Sequence, residues 1–340
     1  MGSKIEFLPP SIHAAIAFIY GAVVGSFLNV CIWRMPRDES LWHPPSHCPQ
    51  CDTRLRFWDL VPLLSFLWQR QRCRYCGTKI SGRYFGVELL TALLFAALGW
   101  RFGITLDTIL LALWVGLLVA TLFIDLEHFI IPDELNAAGV VLGVGRDLLK
   151  LYLPATGPAW TMADLSIPGG MVVHVPRSIL GALCFMAALY LVRLLGSVAF
   201  KKEAMGLGDV KLAAAIGANL VLGQILVAAF ASVLVGSVVG IFMLATGRLE
   251  GEAEEAPAAL EFTAQEAREE VADPVGEAAE PLELQQGEGS PTTSCDQEEE
   301  WDVPPGALPF GPFLVVGVLI AIFWGNELFA TYLRHVGLGP

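Results

Sequence analysis

Four cysteines stand in two C-x-x-C pairs, Cys48 with Cys51 and Cys73 with Cys76, and 21 residues separate the pairs. This spacing is typical of a four-thiolate zinc site, in which each pair forms a tight knuckle and the two knuckles complete a tetrahedron. The alternative, a pair of redox dithiols, would need a thioredoxin-like βαβ setting that the flanking sequence lacks. Because four protein ligands leave no open position, we predict a structural Zn²⁺.

Two aspartates lie at the ends of apolar runs. Asp125 closes a long run before Pro132, and Asp209 follows the turn Gly206-Leu-Gly208. A charged carboxylate at membrane depth is costly, so each residue is a functional candidate. For Asp125 the alternative is an interfacial cap or an ion pair, and the glycines before Asp209 also suit close helix packing.

Two such acids have the chemistry to hydrolyse a peptide bond. An ionised aspartate deprotonates a water molecule while a protonated one polarises the carbonyl group. Two carboxylates a few ångströms apart do not both ionise, and this creates the acid/base pair. The prediction of a catalytic pair therefore depends on a fold that places Asp125 and Asp209 at the same face and depth.

The elements that must position these residues are membrane helices. Of the 340 residues 54% are hydrophobic and 16% charged, with a mean hydropathy of +0.58, whereas a soluble domain has about a quarter of its residues charged. Crossing the hydrocarbon core takes about 20 apolar residues. Apolar runs lie at residues 12–33, 84–103, 106–124, 134–153, 178–200, 210–222, 224–246 and 309–334. The sixth is short and rich in Ala and Gly, so it suits a packed or tilted helix as well as a span.

We predict an all-α polytopic membrane protein with about eight transmembrane helices and a small cytoplasmic, zinc-ribbon-like loop. The loop 34–83 carries nine Lys and Arg residues, which places it in the cytoplasm and the N-terminus outside. With eight spans, residues 125–133, 200–209 and 247–308 face the cytoplasm too. Asp125 and Asp209 then lie on the same side of the membrane.

The acidity of the chain belongs to one segment. The formal net charge is −13, but residues 250–302 carry −17 and the rest of the chain carries +4. This segment has few large apolar residues, so we predict a disordered cytoplasmic insertion, either a solvated spacer or a partner-binding tail. The expected organisation is a first transmembrane helix (1–33), a four-cysteine zinc loop (34–83), a transmembrane peptidase core (84–246), the acidic insertion (247–308) and a last transmembrane helix (309–340).

The ordered motifs resemble the type IV prepilin peptidases, the bifunctional leader peptidase/N-methyltransferases of bacterial inner membranes. The resemblance covers nearly the whole chain in family order, except for the acidic insertion. Its segments are Gly21 to Val30 with Arg34 and Pro36, the paired cysteines, Arg72 to Gly77, Tyr84 to Glu88, Ile124 to Asp133, Gly206 to Leu212, and Pro309 to Phe313.

The resemblance implies a GxGD-type membrane aspartyl protease whose catalytic dyad is Asp125 and Asp209. It implies cleavage of the basic leader of prepilins or pseudopilins after a glycine at the cytoplasmic face of the inner membrane. It also implies methylation of the new N-terminal amine with S-adenosyl-L-methionine, and the cysteine loop is characteristic of this bifunctional type. The sequence has no glycine-rich fingerprint for a methyl-donor pocket, so the residues that bind this cofactor are unknown.

Several assignments stay open from the sequence. Glu88 and Lys211 could line the cleft or form structural ion pairs, and Glu127 and Asp133 could attract a basic leader. The alternatives for function are a prepilin peptidase without methylation, an ion-coupled transporter with an intramembrane carboxylate pair, or a membrane-tethered zinc scaffold. The expected partners are the prepilin substrate and the lipid bilayer, with no nucleic acid; the sequence leaves the oligomeric state and the choice of substrate open.

Overall fold

The computed structural model describes residues 8–152, 162–167, 171–201, 205–246 and 309–337. Apart from one hairpin, the regular structure of these residues is helical, as predicted. The helices are α1 (Pro10–Arg34), α2 (Leu64–Trp68), α3 (Gly82–Phe102), α4 (Leu106–His128), α5 (Asp133–Tyr152), α6 (Arg177–Phe200), α7 (Leu207–Asn219), α8 (Leu222–Ala245) and α9 (Gly311–His335), with 3₁₀ turns at Met35–Arg37 and Phe57–Leu60. The predicted acidic insertion 247–308 lies outside the described residues.

A two-stranded antiparallel hairpin connects α5 to α6. Strand β1 (Met162–Ile167) pairs with β2 (Met171–Pro176) so that Met162 lies opposite Pro176 and Ile167 opposite Met171. The sequence predicted no strand between these two helices. The β2 strand runs directly into α6, so the hairpin spans most of the connection between two long helices.

Six helices in the described part of the chain are long and apolar enough to cross a membrane. They are Pro10–Arg37, Gly82–Phe102, Leu106–His128, Arg177–Ala199, Leu222–Ala245 and Gly311–His335. Each coincides, within a few residues, with one of the eight predicted spans. The prediction of a multi-pass helical membrane protein is therefore confirmed, and the number eight is not.

The two predicted spans that do not qualify form helices of another kind. Helix α5 carries Arg146, Asp147 and Lys150 in its last two turns, and Arg146 donates to both carboxylate oxygens of Asp107 at 3.0 and 3.1 Å. Helix α7 has 13 residues, a length of about 20 Å against a hydrocarbon core of about 30 Å. Charged residues near its end keep the first helix, and a short length keeps the second, out of the six helices that qualify.

Glycines let α1 and α3 pack closely. A Cβ added at Gly21 would lie 2.8 Å from the Ala92 Cα atom, and one at Gly25 would lie 2.8 Å from the Glu88 Cα atom. Without a hydrophobic driving force between helices in lipid, such small residues allow the backbone contact that holds two helices together. The Gly21-x-x-x-Gly25 spacing thus fixes the pair of helices on which the cysteine loop is mounted.

The short helix α7 is packed between α5 and α6. The Gly181 and Gly217 backbones touch, so a Cβ on either would overlap the other. On the α5 side, a Cβ at Gly139 would lie 2.8 Å from the Ala215 Cβ atom, and Asn219 Nδ2 donates to the Gly139 carbonyl oxygen at 2.8 Å. Helix α7 is therefore held by its neighbours, which its Ala/Gly-rich sequence permits.

Helices α4, α7 and α9 contribute to one apolar core. Trp114, Leu212, Ile216 and Leu314 are among its largest fully buried side chains. The chain up to Ser237, together with the residues from Pro309, forms one compact unit. This core fixes the helices whose ends carry the two predicted catalytic aspartates.

Candidate active site and metal centre

Asp125 lies in the last turn of α4 and is 5% exposed. The helix ends because Phe129 adopts a left-handed conformation, with φ of 55°, and its N–H donates to the Asp125 carbonyl oxygen at 3.1 Å. Pro132 follows directly before α5 begins at Asp133. This sharp end places the Asp125 carboxylate between helices and out of water.

Asp209 lies in the first turn of α7 and is 9% exposed. Gly206 is the extended N-cap residue, with φ of −64° and ψ of 150°. The next glycine is needed for packing, since a Cβ at Gly208 would lie 3.2 Å from the Ile131 Cβ atom. An acidic residue in the first helical turn also interacts favourably with the helix dipole. The G-x-G-D pattern thus builds a close turn that presents a buried carboxylate.

The structure brings the two aspartates together. The Asp125 carboxylate lies near Asp209, and the Gly311 backbone lies against it. A Cβ at Gly311 would collide with the Asp125 carboxylate and lie 3.3 Å from Ile131 Cδ1. Ile131 therefore contacts both Gly208 and Gly311. Three segments that are far apart in the chain, at the ends of α4, α7 and α9, meet at the carboxylate pair.

The neighbouring charges that the sequence left open are engaged in structural contacts. Lys211 Nζ lies 2.7 Å from both carboxylate oxygens of Asp133, and Arg83 is paired with Glu127. Glu88 accepts a hydrogen bond from the Leu63 N–H at 2.7 Å. These contacts favour the interpretation of Lys211 as an ion-pair member. Asp133 and Glu127, the two acids that we expected to attract a basic leader, are each paired with a basic residue of the chain itself.

The four predicted zinc ligands converge at one point. Their sulfur atoms all lie within 4.8 Å of one another, and the Cys48 and Cys76 Sγ atoms are 3.9 Å apart. Tetrahedral coordination with Zn–S bonds of about 2.3 Å requires sulfur atoms about 3.8 Å apart. The donor set and its spacing therefore fit a tetrahedral Zn²⁺.

Each cysteine pair forms the same knuckle. The Cys48 N–H donates to the Thr53 carbonyl oxygen at 3.0 Å, and the Cys73 N–H donates to the Thr78 carbonyl oxygen at 2.8 Å. The residue after each second cysteine has positive φ, 51° at Asp52 and 75° at Gly77. The two knuckles are therefore a repeated structural motif, with the sequences C-P-Q-C-D-T-R and C-R-Y-C-G-T-K. The cysteine spacing alone predicted the metal site but not this repeat.

The thiols of the cluster differ in acidity. Burial raises the pKa of Cys48 to about 11. Hydrogen bonds with the side chain and backbone of Thr78 lower the pKa of Cys76 to about 6. Thiolates, not thiols, bind metals. Metal binding at this cluster would therefore require the loss of thiol protons, above all that of the buried Cys48.

Other residues of the matched segments hold the loop to the helices. Arg34, which is buried, donates to the Ser40 carbonyl oxygen at 2.8 Å and to the Pro44 carbonyl oxygen at 2.6 Å. Asn29 Nδ2 donates to the Tyr84 carbonyl oxygen at 3.0 Å. Both residues belong to the segments that resemble the family, and the sequence alone indicated no role for them. Their contacts show that they fix the two ends of the cysteine loop.

Comparison with known proteins agrees with this arrangement. Residues 19–102 match the Bacterial Peptidase A24 N-terminal domain, and residues 109–241 match the Type IV leader peptidase family. The boundary between the two matches falls between α3 and α4. The N-terminal match contains the cysteine cluster, and the second contains both aspartates.

Curated relatives are similar over most of the chain. A prepilin leader peptidase/N-methyltransferase of Myxococcus xanthus is 35% identical over 93% of this chain and 92% of its own length. The proteins of the same name in Xanthomonas campestris and Bacillus subtilis are 31% and 33% identical over 94% and 69% of this chain and 93% and 85% of their own lengths. No solved structure matches. The sequence similarity over nearly the full length shows that the chain belongs to the type IV leader peptidase family.

Proposed function

We propose that this protein cleaves the leader peptide of type IV prepilins or pseudopilins and N-methylates the new N-terminal residue. One observation carries the peptidase part of the proposal: two buried aspartates, from helices far apart in the chain, come together around Ile131, which contacts the glycine before Asp209 and the glycine that lies against Asp125. The family relatives are named for both activities. The two domain matches cover the segments that hold the pair and the cysteine cluster.

We assign hydrolysis to Asp125 and Asp209 acting as a unit. The ionised member takes a proton from water, whose oxygen attacks the scissile carbonyl carbon, while the protonated member donates a hydrogen bond to the carbonyl oxygen. Collapse of the tetrahedral intermediate breaks the C–N bond, and the departing amine takes the proton. The shared proton belongs to the pair, so neither residue is assigned as the base.

The surroundings of the pair suit this chemistry. Both carboxylates are buried at helix ends, where charge interactions are stronger than in water. The Gly311 N–H at the start of α9 faces Asp125 and would help to orient it. We place this end of the bundle at the cytoplasmic face of a bacterial inner membrane, with the N-terminus outside, because of the basic residues in the loop 34–83.

The cysteine cluster is assigned to a structural Zn²⁺. Cys48, Cys51, Cys73 and Cys76 would hold the ion, since their sulfur atoms stand at distances that fit tetrahedral coordination. When bound, the metal supplies folding energy to a module with little buried core of its own. The rest of the module is held by backbone hydrogen bonds of the two knuckles.

The methyl donor is S-adenosyl-L-methionine, and its pocket is not assigned to residues. The transfer is tested with the purified protein, a prepilin substrate and donor carrying a labelled methyl group. Label on the N-terminal residue of the cleaved pilin is the expected result. Efficient cleavage with no transfer would leave the peptidase activity alone and remove the second.

Peptidase activity is tested with purified protein and a synthetic prepilin in lipid discs. We expect Asp125→Asn and Asp209→Asn each to lower cleavage on the order of 10⁴-fold, the scale on which one member of a catalytic unit acts. Asp133→Asn is the matched control, because Asp133 is exposed and paired with Lys211, and it should keep cleavage within about threefold, as loss of an exposed ion pair allows. Intact cleavage in both dyad variants would refute the protease and favour a transporter.

A further inference from the structure

We propose that residues 57–68, between the two cysteine pairs, bind the lipid–water interface and hold the metal module against the bilayer. We call these residues the interfacial segment. The segment lies in the loop 34–83 that was predicted to face the cytoplasm. The inference depends on four features of the structure: its depth, its exposed face, its charge and its connection to two membrane helices.

The depth of the interfacial segment is set by α3. The Leu63 N–H donates to Glu88 Oε2 at 2.7 Å, and the Phe66 ring stacks on Phe85 with 5.2 Å between centroids. Glu88 lies six residues after the start of α3 at Gly82, which is about 9 Å along the helix axis. The segment therefore folds back alongside a membrane-spanning helix.

The strained backbone of Leu63 shows that this position is fixed. Leu63 has φ of 61° and ψ of −47°, a backbone conformation that is costly for a residue with a large side chain. Its N–H is the group that Glu88 accepts, and Glu88 is 9% exposed. A buried carboxylate thus holds the turn that starts α2, so the segment does not swing freely in solvent.

The outward face of the interfacial segment is apolar. On α2, Leu64, Leu67 and Trp68 follow the i, i+3, i+4 spacing of one helix face, with 63%, 61% and 88% of their surface exposed. Phe66 lies on the opposite face and is buried against Phe85. In the preceding 3₁₀ turn Phe57 and Trp58 are exposed as well.

Soluble proteins rarely expose a contiguous patch of large apolar side chains to water. Tryptophan is enriched at the level of lipid headgroups, because its ring is apolar and its N–H is polar. The interfacial segment is 12 residues long, too short to span a bilayer of about 30 Å. Its composition fits a segment that lies in the plane of the interface.

The charge around the interfacial segment favours a bilayer with anionic lipid. Residues 54–74 contain five arginines and one acid, for a net charge of +4. The five arginines, all exposed, are Arg54, Arg56, Arg70, Arg72 and Arg74. The one acid, Asp59, is used internally, since its carboxylate accepts from the Tyr75 hydroxyl at 2.8 Å and the Arg56 N–H at 3.0 Å and lies 3.9 Å from Arg74. One acid cannot neutralise five guanidinium groups, so the excess positive charge is left for headgroup phosphates.

We assign the bilayer rather than another protein to this apolar face, because the loop is attached at both ends to membrane-spanning helices. The loop leaves one membrane-spanning helix at Arg34 and enters the next at Gly82, and its apolar segment contacts the second of these helices within the span. A lipid surface is therefore already present beside the patch. It needs no partner to be recruited.

The test uses the full chain in single-copy nanodiscs of phosphatidylethanolamine and phosphatidylglycerol. The fluorescence lost in Trp68→Phe reports on Trp68 alone. When the discs are prepared with added phosphatidylcholine brominated near the top of the acyl chain, we expect most of this difference signal to be quenched, and we expect acrylamide in the water to quench little of it. Trp324→Phe is the positive reference, because Trp324 is an exposed residue of the α9 span. Trp58→Phe repeats the measurement should Trp68→Phe not fold.

Three results would overturn the proposal. Acrylamide quenching of the Trp68 signal as strong as that of free tryptophan would place the patch in water. Protection from acrylamide that needs several copies per disc would identify a second copy of the chain as the occupant. Protection that appears only on adding a prepilin would make the patch a substrate surface instead.

Discussion

The cysteine cluster and the aspartate pair are assembled over very different lengths of chain. The four cysteines lie within residues 48–76, and each knuckle is closed by backbone hydrogen bonds between neighbours in sequence. The two aspartates lie on α4 and α7, and the third contact, Gly311, comes from α9. The cluster is thus a local structure, whereas the pair exists only when three helices pack correctly.

This difference predicts different sensitivities. A local site held by a metal should fail when a ligand is lost and should tolerate changes in the helices. A site made by helix packing should fail at positions far from the carboxylates, wherever backbones touch.

Helices α6 and α7 contact each other through the backbones of Gly181 and Gly217, which leave no space for a side chain. Gly217→Ala would place a Cβ against the Gly181 backbone, with a cost of about 3 kcal/mol or a loss of the crossing. We expect cleavage to fall about 100-fold, because α7 carries Asp209. Thermal unfolding followed by fluorescence would show the loss of stability. Gly145→Ala is the matched control, since a Cβ there meets nothing within 4 Å. Equal effects of the two variants would show that the contact between Gly217 and Gly181 is not what positions α7.

Gly311→Ala tests the site itself. The added Cβ would collide with the Asp125 carboxylate and push it out of position, and misplacement of a catalytic group by about 1 Å costs about 100-fold in rate. We expect cleavage to fall by that factor while thermal stability and zinc content stay near those of the unchanged protein. Stability lost together with activity would show that Gly311 serves packing only.

Loss of a cysteine should remove the zinc and leave most of the cleavage activity. We expect Cys73→Ser to abolish zinc binding, measured by release to a chromogenic chelator, because the tetrahedron loses one of its four ligands. Cleavage should fall less than about tenfold, since the aspartates are held by other helices. Cys184→Ser, outside the cluster, should keep the zinc. A collapse of cleavage as large as in the aspartate variants would mean that the two regions act as one.

The same contrast explains what the sequence could predict. Apolar runs predicted six membrane helices to within a few residues, and cysteine spacing predicted the cluster, because both signals are local. Helices α5 and α7 also form where apolar runs were predicted, but the charged residues near the end of α5 and the 13-residue length of α7 keep both out of the six long apolar helices.

The aspartates themselves were found through motifs rather than through spacing. Nothing local indicated that Ile131 would contact both Gly208 and Gly311, although all three residues stand in the segments that resemble the family. The exposed face of α2 was also missed. Helix α2 has only five residues, which is too short for an apolar periodicity to indicate a helix within the loop.

The smallest effect is expected at the ion pair beside the site. Lys211 Nζ lies 2.7 Å from the Asp133 carboxylate, with both side chains half-exposed or more, so the pair contributes about 0.5 kcal/mol at most in water. We expect Lys211→Gln to lower cleavage no more than about threefold, with the loss removed at high salt, where exposed pairs are screened. The double variant with Asp133→Asn should be no worse than either single variant. A loss comparable with that of Gly311→Ala, unaffected by salt, would instead make Lys211 part of the catalytic unit and extend the helix-built site beyond the two aspartates.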